Sequence, residues 1–215
     1  MPEQEEKLVK DAPASAPEAQ DRIKAVPRKA VLKLHRFELA AFGAASVNDA
    51  YYTHLAGSGS ILFHLHDAFA LGVGADYLYA HPRGTNVDVV RFSLTSVPAV
   101  YELPKLFAHV DFFWTPIYGK VSIFDDAILH FDFYASMGGG MAMVSSDHRM
   151  PAVNLGVGQR FFLSDWIALR WEVRDHLFVD DQEVNGLPRS DVQSYVMFML
   201  GASIYFPFSF EYSYR

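Results

Sequence analysis

The chain of 215 residues is 51% hydrophobic and 15% aromatic, carries a formal net charge of −7 and contains no cysteine. The missing cysteines exclude disulfides, thiolate metal sites and cysteine nucleophiles. The acidic balance speaks against a nucleic-acid partner, because no basic block appears beyond the N-terminal segment.

Residues 1–30, MPEQEEKLVKDAPASAPEAQDRIKAVPRKA, are rich in Pro, Ala, Glu and Lys and hold no aromatic residue. Such a composition buries too little apolar surface to fold, so it reads as a flexible N-terminal segment. It has no apolar core of the kind a secretory signal requires. Residues 31–215 read as a single folded unit.

Period-two alternation then runs through the chain, the mark of strands with two unlike faces. LHRFELAAFGAASV gives the first strand, SILFHL and FALGVGADYLY the next two. VDFFWTPIYGKVSIF, ILHFDFYASMG, AVNLGVGQRFFL, WIALRWEVRDHLF and SYVMFMLGASIYF complete a set of eight. The stretch Val192 to Phe210 has no charge and is long enough for a membrane helix, but its alternation and its Gln193, Ser194, Ser203 and Pro207 favour a strand.

Three related stretches mark tight turns: HDAFAL from His66, DDAILH from Asp125 and SDWIAL from Ser164. Asp67, Asp126 and Asp165 suit them, since a carboxylate can accept from nearby backbone N–H groups. The other connections, near Ser46 to Tyr52, Ala80 to Lys105, Val144 to Met150 and Asp180 to Asp191, are longer and more polar. Short turns and both termini thus gather at one end and long loops at the other. That is the asymmetry of small transmembrane barrels, with short periplasmic turns and longer outer loops.

One parity of these strands is uncharged and includes Phe37, Leu39, Ile61, Val73, Val110, Phe133, Val157, Leu169 and Leu200. Tyr77, Trp114, Phe131 and Trp171 on this parity read as lipid-facing or girdle aromatics. Gln159 is a misfit there, which a β-bulge would re-aim. The opposite parity carries Arg36, Glu38, Asp76, Asp111, His130, Asp132, Tyr134, Asn154, Arg160, Arg170, Glu172 and Arg174 among many small residues. Alternation alone fits a soluble lipocalin-like binder, apolar inside, as well as an inverted barrel, apolar outside. Two features favour the inverted form, with the soluble lipocalin-like binder kept as a second alternative. There is no lysine from Val121 to Arg215. The charged parity also mixes small residues with near-balanced arginines and carboxylates, as a narrow interior needs. The expected fold is therefore an all-β, eight-stranded antiparallel transmembrane β-barrel. Arg36, Glu38, Asp111, Asp132, Arg160, Arg170, Glu172 and Arg174 are expected to form an ion-pair network that plugs its lumen.

TPIYGK (Thr115 to Lys120), HFDFY (His130 to Tyr134) and PAVNLGVGQRFFL (Pro151 to Leu163) are the most specific parts of a resemblance that covers about residues 20–206. There the chain resembles the outer-membrane β-barrel domain proteins of myxobacteria and related deltaproteobacteria. The resemblance implies a bacterial outer-membrane location, among lipid and lipopolysaccharide. It also implies, for some members, a part in gliding motility or envelope complexes, and it brings no catalytic motif. The chain departs from the family pattern in continuing past Phe206 as PFSFEYSYR.

Other chemistry is weakly signalled. His64 and His66, two apart and beside Asp67, would share a face as polar residues at a barrel mouth or as metal ligands. His130 and Asp132 read as a paired interior network. GGGMAM (Gly138 to Met143) lacks the strand–loop–helix context of a phosphate loop. Ser58, Ser60 and Ser136 have no signature placing them with a histidine and a carboxylate, so no enzyme activity, metal or cofactor is expected. A narrow channel or carrier for small apolar molecules is the alternative to a structural role. The 180–191 loop, bearing Asp180, Asp181, Glu183 and Asp191, reads as an acidic outer contact.

Overall fold

In a computed structural model, residues 29, 31–49, 52–82, 103–123, 127–145, 148–184 and 187–208 are described. The N-terminal segment up to residue 28, Asp126 and most of the 80–105 connection lie outside them. Eight strands follow in chain order: β1 Phe37–Ser46, β2 Tyr52–His66, β3 Phe69–Pro82, β4 Pro104–Ile123, β5 Ala127–Val144, β6 Arg149–Phe162, β7 Ile167–Val184 and β8 Leu187–Phe206. Each pairs antiparallel with its neighbour, and β8 closes on β1. Closure leaves the ring without an open edge, so each strand has a hydrogen-bonding neighbour on both sides.

The register fixes the shape. Partners followed once round from Phe37 run through Phe63, Leu71, Phe112, Met137, Leu155, Asp175 and Val196. The row returns to β1 at Val47, ten residues beyond its start. Eight strands with that stagger tilt by about 40°. Two hairpins outrun the ring. β4 and β5 stay paired down to Ile123 and Ala127 at the short-turn end, while β7 and β8 stay paired up to Val184 and Leu187 at the loop end. The Asp180 to Asp191 segment, expected as a loop, is thus mostly ladder, with Asp180 opposite Asp191. Its polar composition hid the pairing, since strands that rise above a membrane need no apolar face.

The burial pattern is inverted relative to a soluble barrel. β1 and β6 alternate exposed and buried residues along almost their whole length. The exposed set is Phe37, Leu39, Ile61, Leu71, Val73, Val110, Met137, Leu155, Val157, Leu200 and their like. The buried set includes Glu38, Asp76, Asp111, Asp132, Arg160, Arg170, Glu172 and Arg174. A lipocalin-like arrangement is therefore overturned. Water would penalise this exterior at ~25 cal/mol for each Å² of apolar surface left wet, whereas lipid does not.

Gln159 stays on the outer face with no register shift in either of β6's ladders. In place of the expected bulge, a side-chain bond satisfies it: Trp171, directly opposite, donates its indole N–H to Gln159 Oε1 at 3.0 Å. Bulges fall elsewhere, between His64 and His66 in β2 and between Trp114 and Ile117 in β4. The first puts His64 inside and His66 outside, so the two do not share a face.

Candidate functional site

The interior is built in three tiers. At the short-turn end the chain enters the ring before β1 begins: Val31, Lys33 and Arg36 are buried in the mouth. Asp67, in the β2–β3 turn, holds this entry segment by accepting the backbone N–H groups of Lys33 (3.0 Å) and Leu34 (3.1 Å). Lys29 adds an ion pair to Asp67 at 3.5 Å. Burial works against the Asp67 carboxylate, yet these N–H donors and the Lys29 charge hold it below the ordinary aspartate range. Asp165 stands exposed in the β6–β7 turn.

Above the mouth rises a ladder of charge. Lys33 Nζ meets Asp132 Oδ2 at 2.6 Å. Burial draws the Lys33 ammonium down to about 8 despite that carboxylate. Arg160 lies between Asp132 (3.5 Å) and Glu38 (3.7 Å). Glu38 also takes Arg170 at 2.7 Å and His64 Nε2 at 2.8 Å. Glu172 receives Arg174 through Nε at 2.7 Å and Nη2 at 2.6 Å on one oxygen, and the Tyr134 hydroxyl at 2.7 Å on the other. Arg174 then reaches Asp111 (3.6 Å) and Asp76 (3.8 Å). His109 bridges those two aspartates at 2.8 and 3.2 Å, and His176 touches Asp76 at 3.2 Å. Asn154 donates to Asp111.

Tyr134 is the hub of the lower half. Its ring lies between two guanidinium groups, Arg160 Cζ at 4.5 Å and Arg170 Cζ at 4.7 Å from the centroid. The ring covers the β6 position directly opposite, which is Gly158, and a Cβ there would collide with it. The glycine is required by that close approach. Across β6 and β7, Arg160 and Arg170 face each other as like charges, a pairing that stands because Glu38 takes both.

The third tier, toward the loop end, is apolar. Phe42, Leu78, Phe107, Val144, Met150, Phe178, Tyr195, Met197 and Met199 pack in one cluster above the ladder. Phe107 stacks flat on His176, ring centroids 4.2 Å apart, so the two tiers interlock.

Seven of the eight expected network residues join through these bonds. Arg36 is the exception: it gives its donors to the carbonyls of Pro207 and Leu32, each at 3.0 Å, and lies over the Tyr205 ring. Its place one residue before β1 puts it at the mouth instead of in the ladder. His130 stacks on Tyr118 and is not joined to Asp132, whose partners are Lys33 and Arg160. No group of three or more histidine and acidic residues poised to hold a metal occurs among the described residues. Lys33, His64, Asp76, His109, Tyr134, Asn154 and His176 also join the network. His109 was readable, standing two residues from Asp111 on one strand face; Lys33 precedes the strands and gave no periodic signal.

On the outer face Tyr77 (64% exposed) and Trp114 (49% exposed) stand out, while Phe131 and Trp171 are half-buried against neighbours. Phe131 packs edge-on to Phe133 and covers Gly119. A charged, packed lumen inside a closed apolar ring defines an eight-stranded transmembrane β-barrel of the outer-membrane type, with short turns on the periplasmic side.

No protein-family model and no curated protein matches the chain. Among solved structures it is similar to the N-terminal β-barrel domain of Pseudomonas aeruginosa OprF, with 14% identity, 80% of this chain and 98% of that one covered, and a TM-score of 0.48. It is also similar to the Escherichia coli outer membrane protein W (13% identity, 81% and 99% covered, TM-score 0.44). A third is outer membrane protein OprG of Pseudomonas aeruginosa (9% identity, 83% and 99% covered, TM-score 0.43).

Proposed function

We propose that the protein is a closed, non-catalytic barrel of the bacterial outer membrane that anchors an envelope assembly through its outer loops or N-terminal segment. The observation that carries this reading is the filled lumen. Arg160, Arg174, Phe107, Phe178 and Met197 are all essentially fully buried inside the ring. Paired charges close the lower half, and an apolar layer closes the upper half. An ion entering from the periplasm would have to break the Lys33–Asp132 pair and then cross that apolar layer without its hydration shell. The same packing weighs against a channel or carrier for small apolar molecules. The family resemblance of the TPIYGK and HFDFY segments favours an envelope complex, gliding motility included.

Planar-bilayer recording of the purified, heat-modifiable barrel tests this directly. The expected record is flat at all voltages that the bilayer tolerates. Steady unitary conductance would replace the scaffold reading with a channel.

A further inference from the structure

The outward parity of β7 reads Ile167, Leu169, Trp171, Val173, then Asp175. Asp175 faces away from the lumen, between Leu155 of β6 and Val196 of β8. Its Oδ1 accepts the Ser194 hydroxyl at 2.8 Å. It stands eight residues up β7, and exposed Tyr77 stands eight residues up β3. Both therefore lie ~20 Å above the periplasmic rim, near the top of an apolar band about 25 Å tall. That is the depth at which lipid acyl chains join their head groups.

A groove of about 860 Å³ descends from Asp175 across the outer face. Its walls are two partner rows. One runs through Asp175, Leu155, Met137 and Phe112, the other through Val157, Ala135 and Trp114. Ala135 forms the low floor between the larger side chains. The groove is apolar from Leu155 downward and ends near Phe69 at the periplasmic rim.

We infer that this groove holds one acyl chain of an outer-leaflet lipid whose chain-to-head junction carries amide N–H or hydroxyl donors, as the hydroxyacylated glucosamine lipids of lipopolysaccharide do. The chemistry at Asp175 selects it. A carboxylate accepts and does not donate, and Asp175 is set on the lipid-facing side between Leu155 and Val196. Diacylglycerophospholipids offer only ester carbonyls at this depth, which are acceptors too. An amide or hydroxyl at the junction supplies the donor beside the Ser194 bond, and the apolar groove below takes the chain. The inference rests on the outer-membrane reading above, which places the loop end in the outer leaflet.

The test is native mass spectrometry of the folded barrel after incubation with lipid A, or with phosphatidylethanolamine, each with and without EDTA. Wild type should retain one lipid A, about tenfold more than phosphatidylethanolamine, and EDTA should not strip it. Asp175→Leu should lose about tenfold of that retention and Ala135→Trp should abolish it. Both substitutions place apolar side chains on an apolar face, so heat-modifiable mobility should stay as in wild type. Equal retention by wild type and Asp175→Leu overturns the site. Equal retention of the two lipids, or release by EDTA, overturns it as well. Loss of heat-modifiable mobility in wild type would instead fail the barrel reading on which it rests.

Discussion

Removing the Glu172 charge tests whether the lumen is a network or a list of pairs. Glu172→Gln keeps the volume and leaves one amide where two oxygens serve Arg174, Arg170 and Tyr134. The 2.6 Å contact of Arg174 Nη2 and the 2.7 Å bond from Nε fall on one oxygen, so both weaken together. Stranding a buried arginine costs about 3–5 kcal/mol. Here Asp111 and Asp76 remain 3.6 and 3.8 Å from Arg174, which sets the expectation at the lower end, ~3 kcal/mol. Tyr134→Phe removes one bond to the same carboxylate and should cost less, ~1.5–2 kcal/mol. A second substitution, Arg174→Met, should not rescue Glu172→Gln, because it removes the guanidinium that Asp76 and Asp111 share and leaves both to His109, His176 and Asn154 alone. Urea titration of the barrel in lipid vesicles, followed by gel mobility and tryptophan fluorescence, compares wild type with these three variants. An unchanged midpoint for Glu172→Gln would refute the network. A double variant restored to wild-type stability would show that Glu172 and Arg174 form an isolated pair.

The remaining expectations use the same assay. Val157→Arg, three outward positions along from Leu163 and mid-way up the ring, should cost about 2–4 kcal/mol, whereas Leu169→Arg, two residues above the start of β7, should cost about 0–1 kcal/mol; equal costs would remove lipid from that face. Gly158→Ala should destabilise by about 1–3 kcal/mol through overpacking, and Tyr134→Leu in the same chain should not rescue it, because the Trp171 carbonyl stands as close to the new Cβ as the Tyr134 ring does. The Asp67 carboxyl is depressed in the folded barrel, so its contribution is present above the unfolded value of ~3.9 and fades as pH falls below it. Accordingly, the midpoint difference between wild type and Asp67→Asn should be full at pH 7 and shrink toward pH 3, and a difference independent of pH would remove the charge from the argument. Deleting residues 181–188 keeps Asp180 opposite Asp191 with Arg189 and Ser190 as a two-residue loop, and should leave closure of the β7–β8 pair intact. Replacing residues 182–189 by Asn-Gly keeps Asp181 opposite Ser190 and should fold as wild type does.

The sequence carried the ring but not its heights. Alternation assigns a face to every residue, and the faces of Leu169, Val157 and Arg170 are where period two puts them. Height along the barrel depends on the stagger between strands, which period two does not encode. Leu169 and Phe131 were therefore legible as outward and not as near the periplasmic rim, and the acidic run at Asp180 was legible as polar and not as paired. Where alternation broke, the cause was a residue that the pattern cannot weigh. The shift at His64/His66 separates two histidines that spacing alone would join. Gln159, which spacing alone would expel, stays because one indole N–H lies opposite it.

The lumen itself shows why composition pointed to a plug before any contact was known. A ring of eight strands is just wide enough for side chains to fill. Small residues on the inner parity, Gly156, Gly158 and Ser136 among them, leave the room that arginine and tyrosine then occupy. Had the inner parity been large throughout, the charges could not have met. Had it been small throughout, water would have entered. The alternation of Gly158 with Tyr134 and of Arg160 with Glu38 across the ring satisfies both limits, and it does so with carboxylates that each serve two or three donor side chains. Sharing of that kind makes the interior rigid as a unit, since no one arginine can move without releasing a charge held by another. A barrel so fixed inside has only its outer face, its loops and its N-terminal segment left free to vary, and those are the surfaces on which its function must be sought.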